Sequence, residues 1–352
     1  MTAHGGDVWQ VAQEFGIPAK QLLDFSANIN PRGLPQRARL RLERDAANSQ
    51  LLSLYPDPEA RCLRQALSAK FEIPSDSIVI GPGAEALLAP ILRSSGAKRA
   101  VVPVPAFSEY RRVCEQQQIT YAPIPREHLR ERLQIGRGDV VILNNPHNPT
   151  GSMVEASEVL SILDQTRSAA ATLLVDEAFI DYAPHASVVK TAAVEPGLVV
   201  LRSLTKLYGC PSLRVGYAVA PPETAQQIAS LLPTWAVTQL ALNALTEAVA
   251  DREYAEQSLQ ENELARERLA VSIRALGIAV PPSAANYLLL ELSASMPCAS
   301  ELRIRMIEKH HILIRNCDSY EGMEPGRFVR VAVRSAADNQ RLLEAFAKEI
   351  SI

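Results

Sequence analysis

The stretch "VVLRSLTKLYGCPSLRVGYAVA" runs from Val199 to Ala220. It reads as a short apolar strand, a polar kink, a lysine at position 206 and an arginine at position 214. A lysine is costly to bury unless it is paired or chemically used. Taken alone, Lys206 would be a solvated surface lysine with its stem along apolar neighbours. Its place at the end of "VVLR", among Ser203, Thr205 and Arg214, asks for an occupant instead.

Outward from this stretch the same rhythm repeats. "DSIVIGPGAEALLAPIL", "RAVVPVPAFSEYRRVCEQQ" and "GDVVILNNPHNPTGSMVEASEVLSILDQT" each read as strand, loop and helix, and "ATLLVDEAFIDY" as strand and loop. Continuous Val/Ile/Leu runs, rather than alternation, mark strands covered on both faces. Strands interleaved with helices predict an α/β fold, a mostly parallel sheet sandwiched by helices. Upstream, a short helix is expected near Val8–Phe15, then the loop "LLDFSANINPRGLP", then a helix over 36–72 broken at "LYPDPE". Downstream, 222–276 reads as helical and charged, ended by Gly277. "ANYLLLEL", a helix near Ser300–Lys309, "ILIRNC", "RFVRVAVRS" and a helix from Ala337 then suit a smaller α+β unit.

Composition bounds the function. The chain has 352 residues, a net charge of −3, 47% apolar and 21% charged residues, which fits a soluble protein of about two domains. That charge gives no electrostatic case for nucleic acid or an anionic membrane. "MTAHGGDVWQ" has neither the basic nor the apolar segment of a secretory signal, and no apolar run is long enough to span a bilayer. The five cysteines are scattered without a CxxC pair, and there is no HExxH. Reduced thiols, a cytoplasmic location and no metal site are expected.

Open α/β sheets bind ligands beyond the carboxyl ends of their strands, and the unusual polar groups fall at those ends. Gly83, Ala84 and Glu85 open a helix after one strand, and Phe107 follows the next. Asn144, Asn145 and Asn148 follow the third, Asp176 ends "TLLVD", and Ser203, Thr205 and Lys206 end "VVLRS" and its kink. Each has an ordinary explanation as a turn, a cap or a surface charge. One small molecule uses them jointly. Pyridoxal 5'-phosphate needs an amine for its aldehyde, an acid for its pyridine nitrogen and donors for its phosphate. Lys206 is the amine, made reactive by burial and by Arg214. Asp176 is the acid. The N–H groups of Gly83, Ala84 and Glu85, with Ser203, Thr205 and Arg214, suit the phosphate. Asn148 suits the ring oxygen, and Phe107 can stack on the ring.

On "NPHNPTG", "DEAF" and "SLTKLYGCPSLRVG" the sequence resembles the fold-type I pyridoxal-phosphate enzymes of the aminotransferase superfamily, over nearly the whole chain. The resemblance implies an N-terminal arm over 1–40 joined to a small domain, a large cofactor domain over 41–245 and a C-terminal small domain over 246–352. It also implies a homodimer with shared active sites, in which Tyr55 reaches the phosphate of the partner's cofactor. One departure stands out: Phe179 occupies a position that is often tyrosine.

Within the superfamily two branches act on phosphate-bearing amines. "AHGGD", "DEAFID" and "RVAVRSA" resemble the threonine-phosphate decarboxylase branch, and the histidinol-phosphate aminotransferase branch is the alternative. The first implies a phosphorylated amino acid as substrate, with Arg330 and Asn148 on its carboxylate and His4, Gly5, Gly6 and Arg315 on its phosphate. Arg334 could join that anion cluster or pair with an acid. Which bond breaks depends on which α-substituent stands perpendicular to the ring. A cofactor-bound regulator of DNA would need an N-terminal DNA-binding extension and a basic patch, and neither is present in the sequence.

Overall fold

The computed structural model describes residues 5–131 and 133–350. The first strand, β1 (Leu23–Asp24), belongs to the N-terminal arm. Seven strands then build one sheet: β2 (Ile78–Gly81), β3 (Arg99–Val104), β4 (Thr120–Pro125), β5 (Asp139–Asn144), β6 (Thr172–Asp176), β7 (Leu198–Ser203) and β8 (Gly216–Val219). Their order is β2-β8-β7-β6-β5-β3-β4. The neighbours from β7 to β4 pair in parallel, while β8 runs antiparallel to both β7 and β2. The sheet is therefore mostly parallel with one reversed strand.

Every residue of β5 and of β7 is buried, as expected of strands covered on both sides. Alternate residues feed different cores. Val141, Leu143, Val175 and Val200 pack with Leu63, Leu67, Leu242 and Leu245 on one face. Val140, Ile142, Leu174 and Val199 pack with Leu87, Ile91, Tyr110 and Val113 on the other. A third core gathers Leu288 and Leu290 of β9 (Tyr287–Glu291), Val329 and Val331 of β12 (Phe328–Ala332), and Leu342 and Phe346 of the helix Ala336–Ile350. Between them in sequence lie β10 (Ile312–Leu313) and β11 (Arg315–Asn316), and the order β11-β12-β9 is antiparallel. β1 pairs in parallel with β10.

The helical regions are more divided than the sequence pattern suggests. The 36–72 region holds helices Gln36–Ala46, Ser49–Leu52 and Arg61–Phe71. The first break falls at Asn48, whose side chain accepts from the N–H groups of Gln50 and Leu51. The 222–276 region holds Pro222–Ser230, Gln239–Ala250 and Arg252–Ala275. Thr238 and Asp251 cap the second and third through Ala241 N–H and Tyr254 N–H. These caps restart helices where no glycine marks the boundary. No described helix is long and apolar enough to cross a membrane.

The reversal of β8 positions the site. Gly216 lies opposite Ser203 of β7 and Gly81 of β2, so β8 begins at the edge where those strands end. Arg214, two residues before Gly216, returns to the edge that carries Lys206. A Cβ on Gly216 would stand 2.4 Å from the Ala84 nitrogen, so only glycine lets this strand pass beneath the helix Ala84–Ser94.

Candidate active site

A cavity of about 620 Å³ opens at that edge. Lys206, Asp176, Ser203, Thr205 and Phe107 line it, together with Ala84, Glu85, Arg214 and Asn148. Arg315, Arg330 and Gly5 enter its wall from the third core and the arm. One site thus draws on both ends of the chain.

Asp176 ends β6 buried, and its position is fixed on both sides. Tyr110 donates its hydroxyl to Asp176 Oδ2 at 2.5 Å, and Ala178 N–H donates to Oδ1 at 2.9 Å. Burial raises this carboxyl above its ordinary value, while Tyr110, Ala178 and the Lys206 charge pull it down. Tyr110 lies in the helix Ser108–Gln116, and Phe107 packs edge-on against it with centroids 5.7 Å apart. Lys206 Nζ stands 5.6 Å from the centroid of Phe179. Burial, then the charges of Arg330 and Arg214, lower its amine to about 8, against the pull of Asp176. The neutral form is then a minority species near neutral pH, but far more abundant than for an ordinary lysine. Arg330 is the larger of the two charge effects, although it lies far from Lys206 in sequence.

At the opposite wall, Ser203 and Thr205 share a hydroxyl hydrogen bond of 2.8 Å. Gly83 has φ +97°, and a Cβ there would meet Arg214 Nη2 at 2.7 Å. Among the described residues no side chain caps the helix Ala84–Ser94 that follows. A guanidinium, two hydroxyls and a helix N-terminus converge there, a donor set suited to a phosphate. With the amine of Lys206 and the acid of Asp176 in the same cavity, the residues present fit pyridoxal phosphate. Gly83→Ala combines a left-handed backbone with displacement of Arg214, and cofactor affinity is expected to fall about tenfold or more. Equilibrium titration of the cofactor-free protein checks it; unchanged affinity would remove Gly83 from the cradle.

The other half of the cavity is dominated by two arginines. Antiparallel pairing sets Arg315 of β11 directly opposite Arg330 of β12, and both are buried, at 6% and 5% exposure. Arg330 donates to Ser26 O at 2.9 Å, Tyr320 Oη at 3.0 Å and Asn148 Oδ1. Its Nε has no hydrogen-bond partner among the described residues. Arg315 donates to Ser319 Oγ at 2.6 Å and stands over the Tyr320 ring. Burial lowers the Arg315 value, and the Arg330 charge adds to that. Like charges facing across a strand pair repel, so the arrangement suits an anionic ligand.

Gly5 is pressed against the strap that follows β1. A Cβ on Gly5 would sit 2.1 Å from Ser26 O, and Gly6 N–H donates to Ser26 Oγ at 2.8 Å. His4 lies outside the described residues. Tyr55 is not brought to this cavity; it is 76% exposed and stacks on Trp235 with centroids 4.3 Å apart. Arg334 turns away to pair with Asp338 at 3.1 Å and to donate to Asp24 O. Phe179 packs edge-on against Tyr287, whose hydroxyl donates to His147 O at 2.9 Å. His147 is itself neutral, lowered to about 3 by burial and by Arg126, and its ring is held by Thr150 and Pro105 O. Sequence reasoning missed Tyr110, Tyr320 and Ser26. Only Tyr110 left a signal, one helical turn after Phe107.

The sequence pattern of the family described as aminotransferase class I and II matches residues 20–346. Among curated proteins, the threonine-phosphate decarboxylase of Salmonella typhimurium is 36% identical, over 98% of this chain and 95% of that protein. A histidinol-phosphate aminotransferase of Methanococcus aeolicus is 26% identical, over 97% of this chain and 93% of that protein. An adenosylcobalamin biosynthesis bifunctional protein of Leptospira interrogans is 29% identical over 98% of this chain, which spans 40% of that longer protein. The crystal structure of an L-threonine-O-3-phosphate decarboxylase from Porphyromonas gingivalis superimposes with a TM-score of 0.82 at 24% identity, covering 93% of this chain and 99% of that one.

Proposed function

The chain belongs to the aminotransferase class I and II family, and from that premise we propose that it decarboxylates L-threonine O-3-phosphate to (R)-1-amino-2-propanol O-2-phosphate for cobalamin biosynthesis. The observation that carries this reading is the buried Arg315–Arg330 pair, facing across β11 and β12 beside Lys206. Two buried guanidiniums on paired strands, lining one cavity, favour a short ligand with two anionic groups. Threonine phosphate has them on adjacent carbons. The decarboxylase relative that aligns along nearly the full length of both chains adds to this support.

When bound, pyridoxal phosphate supplies an electron-withdrawing ring that takes up the electron pair of the breaking bond. The residues that would hold it are Lys206, Asp176, Asn148, Ser203, Thr205, Arg214 and Phe107, with the backbone of Gly83, Ala84 and Glu85. Arg330, with Asn148 against its guanidinium, holds the substrate carboxylate and fixes its rotation. Arg315, Gly5, Gly6 and His4 take the substrate phosphate. Asp176 stays ionised and holds the proton of the ring nitrogen in place. Lys206 Nζ delivers the proton that replaces CO2 on the α-carbon.

We also propose a homodimer. Leu52, Leu54, Tyr55 and Trp235 are all more than half exposed, an apolar face that a second copy would cover. Tyr55 would then meet the phosphate in the partner's site.

The test is made on purified holoenzyme given threonine phosphate without a keto acid. Stoichiometric CO2 with aminopropanol phosphate is expected. If no CO2 appears and histidinol phosphate with 2-oxoglutarate yields glutamate, the protein is an aminotransferase and the decarboxylase reading is overturned.

Tyr110→Phe probes Asp176. The lost hydrogen bond favoured the ionised carboxylate, so without it the Asp176 value rises. Activity is then lost at a higher pH on the acid side, and near neutral pH it falls about tenfold. A pH profile of kcat/KM whose acid limb does not move would exclude this role.

A further inference from the structure

We propose that Tyr320 is a positioning residue for the cofactor: its hydroxyl holds the oxygen end of the Asn148 amide, so that the Nδ2–H end is presented to the ring oxygen of pyridoxal phosphate. This rests on the cofactor reading above and not on the choice of substrate. The two ends of that amide are treated unequally. Asn148 Oδ1 accepts from Tyr320 Oη at 3.0 Å and from Arg330 Nη1. Its Nδ2 makes no hydrogen bond among the described residues, although Asn148 is 8% exposed and lines the active-site cavity. An amide with one end held twice and the other open suits a ligand that accepts.

The direction of these hydrogen bonds is forced. A guanidinium only donates. Arg330 Nη1 donates to Tyr320 Oη at 3.0 Å, so the phenolic oxygen accepts there and its own proton goes to Asn148 Oδ1. With the amide reversed, two donors would face its NH2 group. A ligand carboxylate would draw on the Arg330 fork, and Tyr320 is the grip on Asn148 that it leaves in place. The backbone of Asn148 is fixed separately. Its N–H donates to Asn144 Oδ1 at 2.6 Å, and Asn144 Nδ2 donates to Asp176 O at 2.9 Å. What is left for Tyr320 to set is the rotation of the amide.

Tyr320 is itself held from several sides. Its N–H donates to Cys317 O at 3.0 Å, and its carbonyl accepts from Met323 N–H at 3.2 Å. Its ring centroid lies 5.5 Å from the Arg315 guanidinium. The loop that carries it is closed at the neck, where Asp318 Oδ1 accepts from Gly326 N–H at 2.6 Å. An ion pair of Glu321 with Arg111, also at 2.6 Å, pins the loop to the helix Ser108–Gln116. Near the lysine, Phe179 has no donor to offer, and the Tyr110 hydroxyl is committed to Asp176. The ring oxygen therefore depends on the Asn148 amide.

The test reads the bound cofactor. A donor at the ring oxygen competes with the proton that this oxygen shares with the lysine nitrogen, so a weaker donor keeps that proton to higher pH. In holoenzyme, the pH midpoint of the cofactor's visible absorbance change is expected to rise by about half a pH unit or more in Tyr320→Phe, and by at least as much in Asn148→Ala. Tyr320→Phe keeps the ring and its contact with Arg315. In the double variant the midpoint should match that of Asn148→Ala alone, because Tyr320 acts through that amide. A midpoint in Tyr320→Phe that is unchanged or lower, or shifts that simply add in the double variant, would overturn the assignment. A holoenzyme that releases no CO2 from threonine phosphate yet shows both expected results would overturn the substrate reading and uphold this one.

Discussion

Lys206→Ala is expected to lose turnover by about 10⁴-fold or more, while the cavity still takes up pyridoxal phosphate. A positioned acid–base group contributes about 10²–10⁴-fold, and this lysine also supplies the covalent attachment. The remaining cradle of Gly83, Ser203, Thr205 and Arg214 is untouched by the substitution. Its loss does reach Asp176. The lysine charge helps hold that carboxylate ionised, so the variant should bind cofactor better as pH rises through the weakly acidic range. CO2 release and bound cofactor, measured on the same samples, separate the two effects. Undiminished turnover would end the proposed chemistry; loss of cofactor with loss of turnover would instead make Lys206 chiefly a tether.

Arg330→Ala should lower kcat/KM by about 10²–10³-fold, mostly through KM, because removing one partner of a buried charge pair costs several kcal/mol. The substitution also leaves Ser26 O, Asn148 Oδ1 and Tyr320 without their shared donor. Arg330→Lys keeps a charge but not the fork, and it should recover little. A second readout is independent of substrate. The Arg330 charge is the second cause, after burial, of the lowered Lys206 amine. Without it that amine moves up from about 8 towards its ordinary range. Cofactor uptake by the cofactor-free variant, which needs the neutral amine, should then require a higher pH. An uptake profile identical to wild type would show that the two residues are not coupled.

Much of this site was legible because its residues sit where strands stop. Asp176, Ser203 and Lys206 follow apolar runs that could only be buried strands, and a parallel sheet sends such ends to one edge. The reversal of β8 was not legible. "RVGYAVA" has the same apolar character whichever way it runs, and only the pairing of Gly216 with Gly81 and Ser203 sets its direction. The tyrosines were invisible for a different reason. Tyr320 reaches Asn148 across 172 positions of sequence, and no local pattern encodes such a contact. Arg334 shows the same limit: its motif left it open between the anion cluster and an acid, and the ion pair with Asp338, one helical turn later, takes the second course. Asn48, Thr238 and Asp251 were present as cap residues, but no glycine marks the boundaries at which they restart helices.

The pairing of β1 with β10 joins Leu23 to Ile312 and Asp24 to Leu313. The arm is thus made long before the strand that it pairs with. At about 5–20 residues per second it waits roughly 15–60 s for its strand partner. During that interval the seven-stranded sheet, complete by Val219, has its own sequence in hand. A nascent chain stalled before β10 should therefore protect its central strands from proteolysis while the segment around β1 is still cut.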